Sequence, residues 1–347
     1  MRASRKPNNR TAAALICGSM AVLICFLAYD ALANRQEFSQ SDIAMGTVIS
    51  QQLTGPDTEA TADKIIGKIK EIEKDSLSWR IKGSEIYNIN LHAGKAVKIS
   101  AETAGWLKKS LEVCKNSGGA LDITVGKLTA LWGIGTESAR LPKQAEIDGL
   151  LGGVGYEKVK IAGNDVKIAD GQSLDMGSVG KGIACDEAFK ILEAKKTKSA
   201  VISVGGSILL YGEKKEVNVG IRNPRGGEND YMGILSLKNC CVSTSGDYEK
   251  FIIVNGKKYH HILNPKTGYP SDSGLMSVTV VCQSGLLSDA LSTACFVLGY
   301  EKSLPLLKEY NAEAVFITNS SSVYVTDGLA GKFKLSNTAD YKLEATD

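Results

Sequence analysis

The chain has 347 residues, 43% apolar and 23% charged. Those proportions exclude a wholly disordered or collagen-like polypeptide and allow one large domain or two small ones. The formal charge of +3 sits at the start: Arg2, Arg5, Lys6 and Arg10 against Asp30 account for it, and the remainder balances at 37 basic and 37 acidic residues. A body without a basic excess argues against nucleic acid as a partner, because displacing counterions needs one.

Arg2 to Arg10 form a basic segment, followed by the nearly uncharged apolar run Thr11–Tyr29 and the small-x-small site Ala31-Leu32-Ala33. This order reads as a secretory signal peptide. A run of about 19 residues is also long enough to stay as a membrane anchor, with the body outside. A buried N-terminal helix is the third reading. The expectation is a signal or anchor over 1–33 and one domain over 34–347. The protein would be exported, to the periplasm or the extracytoplasmic face of the membrane, and membrane-associated through this segment. Two of the eight cysteines, Cys17 and Cys25, lie in the leader, and neither follows a small residue. The other six form no CxxC and no zinc spacing, and most sit in apolar runs as small hydrophobes.

Over Thr58–Lys74, Ala62, Ile65, Ile66, Ile69 and Ile72 share one helical stripe. Ser100 has the position of an N-cap for a helix carrying Ala104, Leu107, Leu111 and Cys114. Gly180–Lys195 reads as a third helix and Leu286–Leu298 as a fourth. Short β-branched runs follow: Ala200–Val204, Val217–Ile221, Ile234–Leu237, Phe251–Val254, Ser277–Cys282, Ala314–Thr318 and Val323–Thr326. Helices and hairpin-like strands interleave without βαβ spacing, which predicts a single mixed domain of the α+β class.

Three segments carry chemistry. In the helix over Leu286–Leu298, Asp289 and Thr293 are i and i+4, so their oxygens rise on one face. A carboxylate beside a neutral hydroxyl suits a hard cation such as Mg2+; alternatively Ser288 or Asp289 caps the helix. In Leu174-Asp-Met-Gly-Ser-Val-Gly-Lys-Gly, a strand end carrying Asp175 runs through a glycine turn that delivers Lys181 to a helix start. That arrangement either cradles phosphate or is an ordinary strand–turn–helix; no GKS or GKT marks a Walker loop. In Tyr259-His-His-Ile-Leu-Asn-Pro, the adjacent His260 and His261 point to opposite faces of an extended chain. One of them is suited to act as a general base, or both are structural. A Ser-His-Asp hydrolase would need a GxSxG elbow, which does not occur.

In order, Ala44-Met-Gly-Thr, Leu77-Ser-Trp-Arg, Gly119-Ala-Leu-Asp-Ile-Thr-Val-Gly-Lys-Leu, Leu174-Asp-Met-Gly-Ser-Val-Gly-Lys-Gly, Gly205-Gly-Ser, Ser245-Gly-Asp-Tyr-Glu, His261-Ile-Leu-Asn-Pro-Lys-Thr-Gly and Asp289-Ala-Leu-Ser-Thr-Ala resemble the FAD:protein FMN transferase (ApbE) family over about residues 42 to 330. The resemblance implies an Mg2+-dependent transferase of the extracytoplasmic face. Such an enzyme cleaves FAD, joins FMN through a phosphoester to a Thr or Ser of an acceptor flavoprotein, a subunit of a membrane redox complex, and releases AMP. It implies FAD contacts from Met45, Trp79, Ala120, Leu121, Asp122, Asp175, Lys181 and Leu263. It implies His261 as base, and metal ligands from Asp289, Thr293 and the carbonyl of Ser178. Gly180 stands where the family has alanine, and Lys127 where it has proline. An exported FAD pyrophosphatase and a non-catalytic flavin-binding protein are the alternative readings. The acceptor pattern of the family, Asp-x-x-Ser/Thr-Gly-Ala-Ser/Thr, does not occur, so the chain reads as modifier and not modified.

Overall fold

A computed structural model describes residues 36–212, 215–227 and 229–344. The basic and apolar leader therefore lies outside the described residues. Among the described residues no helix is long and apolar enough to cross a membrane.

Nine strands, numbered here in chain order, form the central sheet: β1 Glu37–Ala44, β2 Thr47–Thr54, β3 Ser199–Val204, β4 Ser207–Gly212, β5 Cys240–Gly246, β6 Leu275–Cys282, β7 Glu313–Thr318, β8 Ser322–Val325 and β9 Lys342–Leu343. Each lies beside the next, antiparallel except for the parallel pair β8–β9. The antiparallel order is what the α+β reading expects. β1 and β2 are absent from the sequence-derived list: beyond the short Thr47-Val48-Ile49 they carry mostly Ser, Gln and charged residues between single apolar positions. They join through Met45 (φ 54°) and Gly46 (φ 67°), both left-handed. Those dihedrals suit a two-residue hairpin turn, in which Gly is unstrained and Met needs outside support.

Five helices position the site: α1 Thr58–Glu71, α2 Ala101–Asn116, α3 Gly180–Ala194, α4 Gly285–Leu298 and α5 Tyr300–Glu309. The predicted stripe of Ala62, Ile65, Ile66 and Ile69 is buried on α1. The helix does not run to Lys74 as an α-helix, however. Residues Ile72–Leu77 form a π-helical turn, which sets residues five apart on one face and so buries both Ile72 and Leu77. Ser100 caps α2 as expected, accepting from the Thr103 amide. α1, α3 and α4 cover one face of the sheet through Ile65, Ile69, Ala184, Ala188, Ala290 and Leu291, packed on Ile49, Ile202, Leu209, Val278 and Val280. The other face meets a three-stranded sheet (Val217–Arg222, Tyr231–Leu237, Phe333–Leu335) through Val242, Met276, Ile317, Met232 and Leu235. A small separate core under the hairpin Phe251–Val254/Lys257–His260 holds Leu128, Trp132, Ile147 and Leu263.

All six described cysteines are free and buried. Burial pushes the Cys240 thiol up to about 11 and the Cys295 thiol up to about 12, so they are packing groups rather than nucleophiles.

Candidate active site

α3 and α4 meet at their N-termini, and two glycines make the contact. A Cβ on Gly182 would strike the Gly285 carbonyl and come within 2.8 Å of Asp289 Cβ; a Cβ on Gly285 would strike the Gly182 carbonyl. With the backbones this close, each helix supplies a carboxylate to the other. Asp186 of α3 accepts from the amides of Gly285 (2.5 Å) and Leu286 (3.0 Å) and from Ser284 Oγ (2.9 Å). Asp289 Oδ2 accepts from the Gly182 amide at 3.0 Å. Both exchanges satisfy orphan amides of a first turn, where the helix dipole favours negative charge.

The capping alternative raised for α4 is thereby corrected. The N-cap is Ser284, Ser288 donates to Gly285 O, and the Asp289 carboxylate serves the other helix. Asp289 is only 3% exposed. Its second oxygen, Oδ1, faces the Lys181 ammonium at 3.5 Å, too long for a strong hydrogen bond and short enough for charge balance. Thr293, one turn on, is half-buried, with Oγ1 3.3 Å from Ser245 Oγ of β5. Because the Gly182 amide is diverted to Asp289, it does not close the helical bond to Ser178. Among the described residues nothing donates to the Ser178 carbonyl. A buried carboxylate, a hydroxyl one turn on and the unpaired carbonyl of Ser178 are candidate donors, all of them oxygen. Among the described residues no three His, Cys, Asp or Glu side chains gather into a site of a softer kind. The donors fit a hard cation that keeps water or phosphate oxygens for its other positions.

Asp175 ends no named strand; its amide donates to Ile123 O at 2.8 Å and its Oδ1 accepts from Gly177 at 2.9 Å. With the parallel bridge Val125–Ser173 and the two hydrogen bonds between Asn90 and Leu174, that bond to Ile123 aligns the segment before the glycine turn.

The two histidines part as their alternation requires. His260 is 7% exposed, with Nε2 2.9 Å from Ser271 O, Nδ1 accepting from Ile262 N, and its ring edge-on to Phe296. Burial lowers its pKa, and it is a packed, neutral core group. His261 is half-buried. Its amide and Nδ1 both face the Lys250 carbonyl, at 3.0 and 3.2 Å. A carbonyl only accepts, so Nδ1 carries the hydrogen and Nε2 is left bare to take a proton. Burial brings the imidazole down to about 4, opposed by the Lys250 carbonyl and helped by the charges of Lys181 and Lys250. The Lys181 charge thus bears on both groups, pairing with Asp289 Oδ1 at 3.5 Å and lowering the His261 imidazole behind the larger effect of burial.

The remaining predicted contacts sit as follows. The Met45 amide donates to Glu73 Oε2 at 2.7 Å, which is the support its left-handed turn needs. Met45 and Trp79 both pack on the main core, and the Arg80 guanidinium lies 4.1 Å over the Trp79 ring. Ala120, Leu121 and Asp122 are buried. The Asp122 carboxylate is spent inward, accepting from the Thr124 amide (2.8 Å), Thr124 Oγ1 (2.6 Å) and the Tyr156 amide (3.0 Å); burial raises its pKa against those donors. Leu263 bridges to Pro270 and lies in the small core, away from the α3–α4 crossing in packing. Sequence reasoning missed Glu73, Asp186 and the Ser245–Ser292 pair. Of these, Ser245 and Ser292 had a signal, their places in Ser245-Gly-Asp-Tyr-Glu and Asp289-Ala-Leu-Ser-Thr-Ala.

The fold is that of solved flavin transferases. The ApbE protein of Thermotoga maritima superposes with a TM-score of 0.79 at 30% identity, covering 84% of this chain and 98% of that one. The apo flavinyl transferase ApbE of Pseudomonas stutzeri gives 0.75 at 26% identity, covering 86% and 96%. The chain belongs to the ApbE family, whose model matches residues 45–316. It is 30% identical over 343 residues to the FAD:protein FMN transferase of Treponema pallidum, spanning 90% of this chain and 94% of that protein.

Proposed function

We infer that this enzyme transfers FMN from FAD to a hydroxyl of an acceptor flavoprotein and releases AMP, with FAD as its substrate and His261 as the base. The observation that carries the reading is the α3–α4 crossing, which holds the buried Asp289 carboxylate 3.5 Å from the Lys181 ammonium at the end of a glycine turn.

Asp289, Thr293 and the Ser178 carbonyl would hold Mg2+. That ion, when bound, neutralises diphosphate charge against an incoming nucleophile. The chain's own groups do the rest. The N-terminus of α3 and Lys181 attract the phosphates. Met45, Trp79, Asp175, Leu263 and the backbone of Ala120, Leu121 and Asp122 shape the flavin and adenine contacts. His261 Nε2 takes the proton of the acceptor Thr or Ser as its oxygen bonds the FMN phosphorus and the bond to AMP breaks. A positioned base of this kind contributes about 10²- to 10⁴-fold. The leader would export the enzyme, or anchor it, beside redox-complex acceptors at the extracytoplasmic face.

The test is incubation with FAD and Mg2+, with and without an acceptor domain. Covalent flavin fluorescence on the acceptor in a denaturing gel, lost in Asp289→Ala, supports the reading. Free FMN and AMP with no labelled acceptor would identify a pyrophosphatase instead, and intact bound FAD a mere binder.

A further inference from the structure

A chain of hydroxyls runs behind the proposed metal site, and its proton order can be read from its ends. Ser292 Oγ donates to the carbonyl of Asp289 at 2.9 Å. A hydroxyl has one hydrogen, so in the 2.8 Å contact between Ser292 and Ser245 the donor must be Ser245. With its hydrogen committed, Ser245 can only accept in the 3.3 Å contact with Thr293. The order is Thr293 O–H to Ser245, Ser245 O–H to Ser292, and Ser292 O–H to the backbone of Asp289. Ser245 and Ser292 are buried, so water does not compete along the seam.

We propose that Ser245 is a positioning residue for the metal site: it fixes the Thr293 hydroxyl as a donor directed at the sheet, so that the lone pairs of Thr293 and not its proton face the cation. The inference rests on the reading of Thr293 as a ligand. A hydroxyl free to rotate would present its hydrogen to a cation part of the time, and each such orientation repels it. The relay removes them before binding. It also ties Thr293 to Asp289, because the last hydrogen bond ends on the main chain of the residue that supplies the carboxylate. Partners that orient a ligand in this way are worth about 10- to 100-fold in metal affinity. The local conditions for such a relay are strand-to-helix contact at hydroxyl size. Ser245 and Ser292 meet this condition; a larger residue at either position would push α4 off β5.

The experiment is a Mn2+ titration followed by electron paramagnetic resonance on the full, EDTA-stripped chain, for wild type, Ser245→Ala, Thr293→Ala and the double variant. The expected result is about tenfold or greater weakening in each single variant, and a double variant no weaker than Thr293→Ala alone. Melting in EDTA accompanies each, and is expected to move little in Ser245→Ala. Ser292→Ala, which removes no ligating group, is expected to weaken Mn2+ as well, because Ser245 can then turn its own proton toward Thr293. If Ser245→Ala folds poorly, Ser292→Ala carries the test, and wild-type affinity in it overturns the proposal. Wild-type affinity in Ser245→Ala, or strictly additive losses in the double variant, overturns the proposal. Unchanged affinity in Thr293→Ala instead overturns the ligand assignment beneath it, and so separates the two failures.

Discussion

The crossing of α3 and α4 tolerates no side chain, and Gly182→Ala tests it. On helix propensity alone the change is favourable by about 1 kcal/mol. Sterically it is not: the new methyl meets the Gly285 carbonyl head-on and lies within 2.8 Å of Asp289 Cβ, and backbone cannot swing aside as a flexible side chain would. Overpacking of this kind costs about 1–3 kcal/mol. Separating the helices also strains the Gly182–Asp289 bond and the three bonds to Asp186, and loss of one charge-assisted bond costs about 1.5–3 kcal/mol. Setting the propensity gain against these gives a net loss of about 1.5–5 kcal/mol. At about 2 °C per kcal/mol for a domain of this size, the midpoint should fall by roughly 3–10 °C in a calorimetric or circular-dichroism melt. Gly105 of α2 is the internal control. Nothing lies within 4 Å of its added Cβ, so Gly105→Ala should melt at or up to about 2 °C above wild type. If Gly182→Ala melted with Gly105→Ala, the helices would not cross there, and the placement of Asp289 against the α3 terminus would be wrong.

The acidic limb of kcat/KM for transfer should lie near pH 4 to 5, well below the 6.5 of an unperturbed imidazole, because burial keeps free-enzyme His261 neutral down to about 4. A limb at 6.5 or above would remove His261 as the base. In the same group, the folded pKa lies below the unfolded one, so its stabilising contribution is complete above pH 6.5 and fades as pH falls toward 4; melts of His261→Ala should lose less stability than wild type over that window. Asp186→Ala unties the start of α4, where three donors converge. About 2 kcal/mol of stability should be lost, a cap's upper range, with Asp186→Asn recovering part; equal melts for all three would deny the clasp. Glu73→Ala frees the Met45 amide and should weaken FAD binding several-fold in a flavin-fluorescence titration. Unchanged affinity would take the Met45 turn out of the FAD site.

What the sequence revealed, and what it hid, divides by whether the cause is local. Period and composition mark α1, α2, α3 and α4, because each buries a stripe of its own residues; the strand at Phe251–Val254 has the bounds expected of it. β1 and β2 escaped notice because their identity comes from pairing across a turn that Met45 takes up only with help from Glu73, 28 positions away. The π-turn after Glu71 is set by core contacts of Ile72 and Leu77, not by any breaker in the sequence. At the site, the i, i+4 spacing put Asp289 and Thr293 on one helical face, and alternation divided His260 from His261, both from sequence neighbours alone. Nothing in that neighbourhood reveals that the Asp289 carboxylate caps a helix 107 positions earlier, or that Asp186 returns the favour 99 positions on. Those contacts need two glycines to coincide in space. The residues that make chemistry are thus legible as types and spacings, while the residues that aim them belong to the packing of α3 on α4 and of α4 on β5. A substitution at Gly182, Gly285 or Ser245 therefore alters the donor set without altering a single donor.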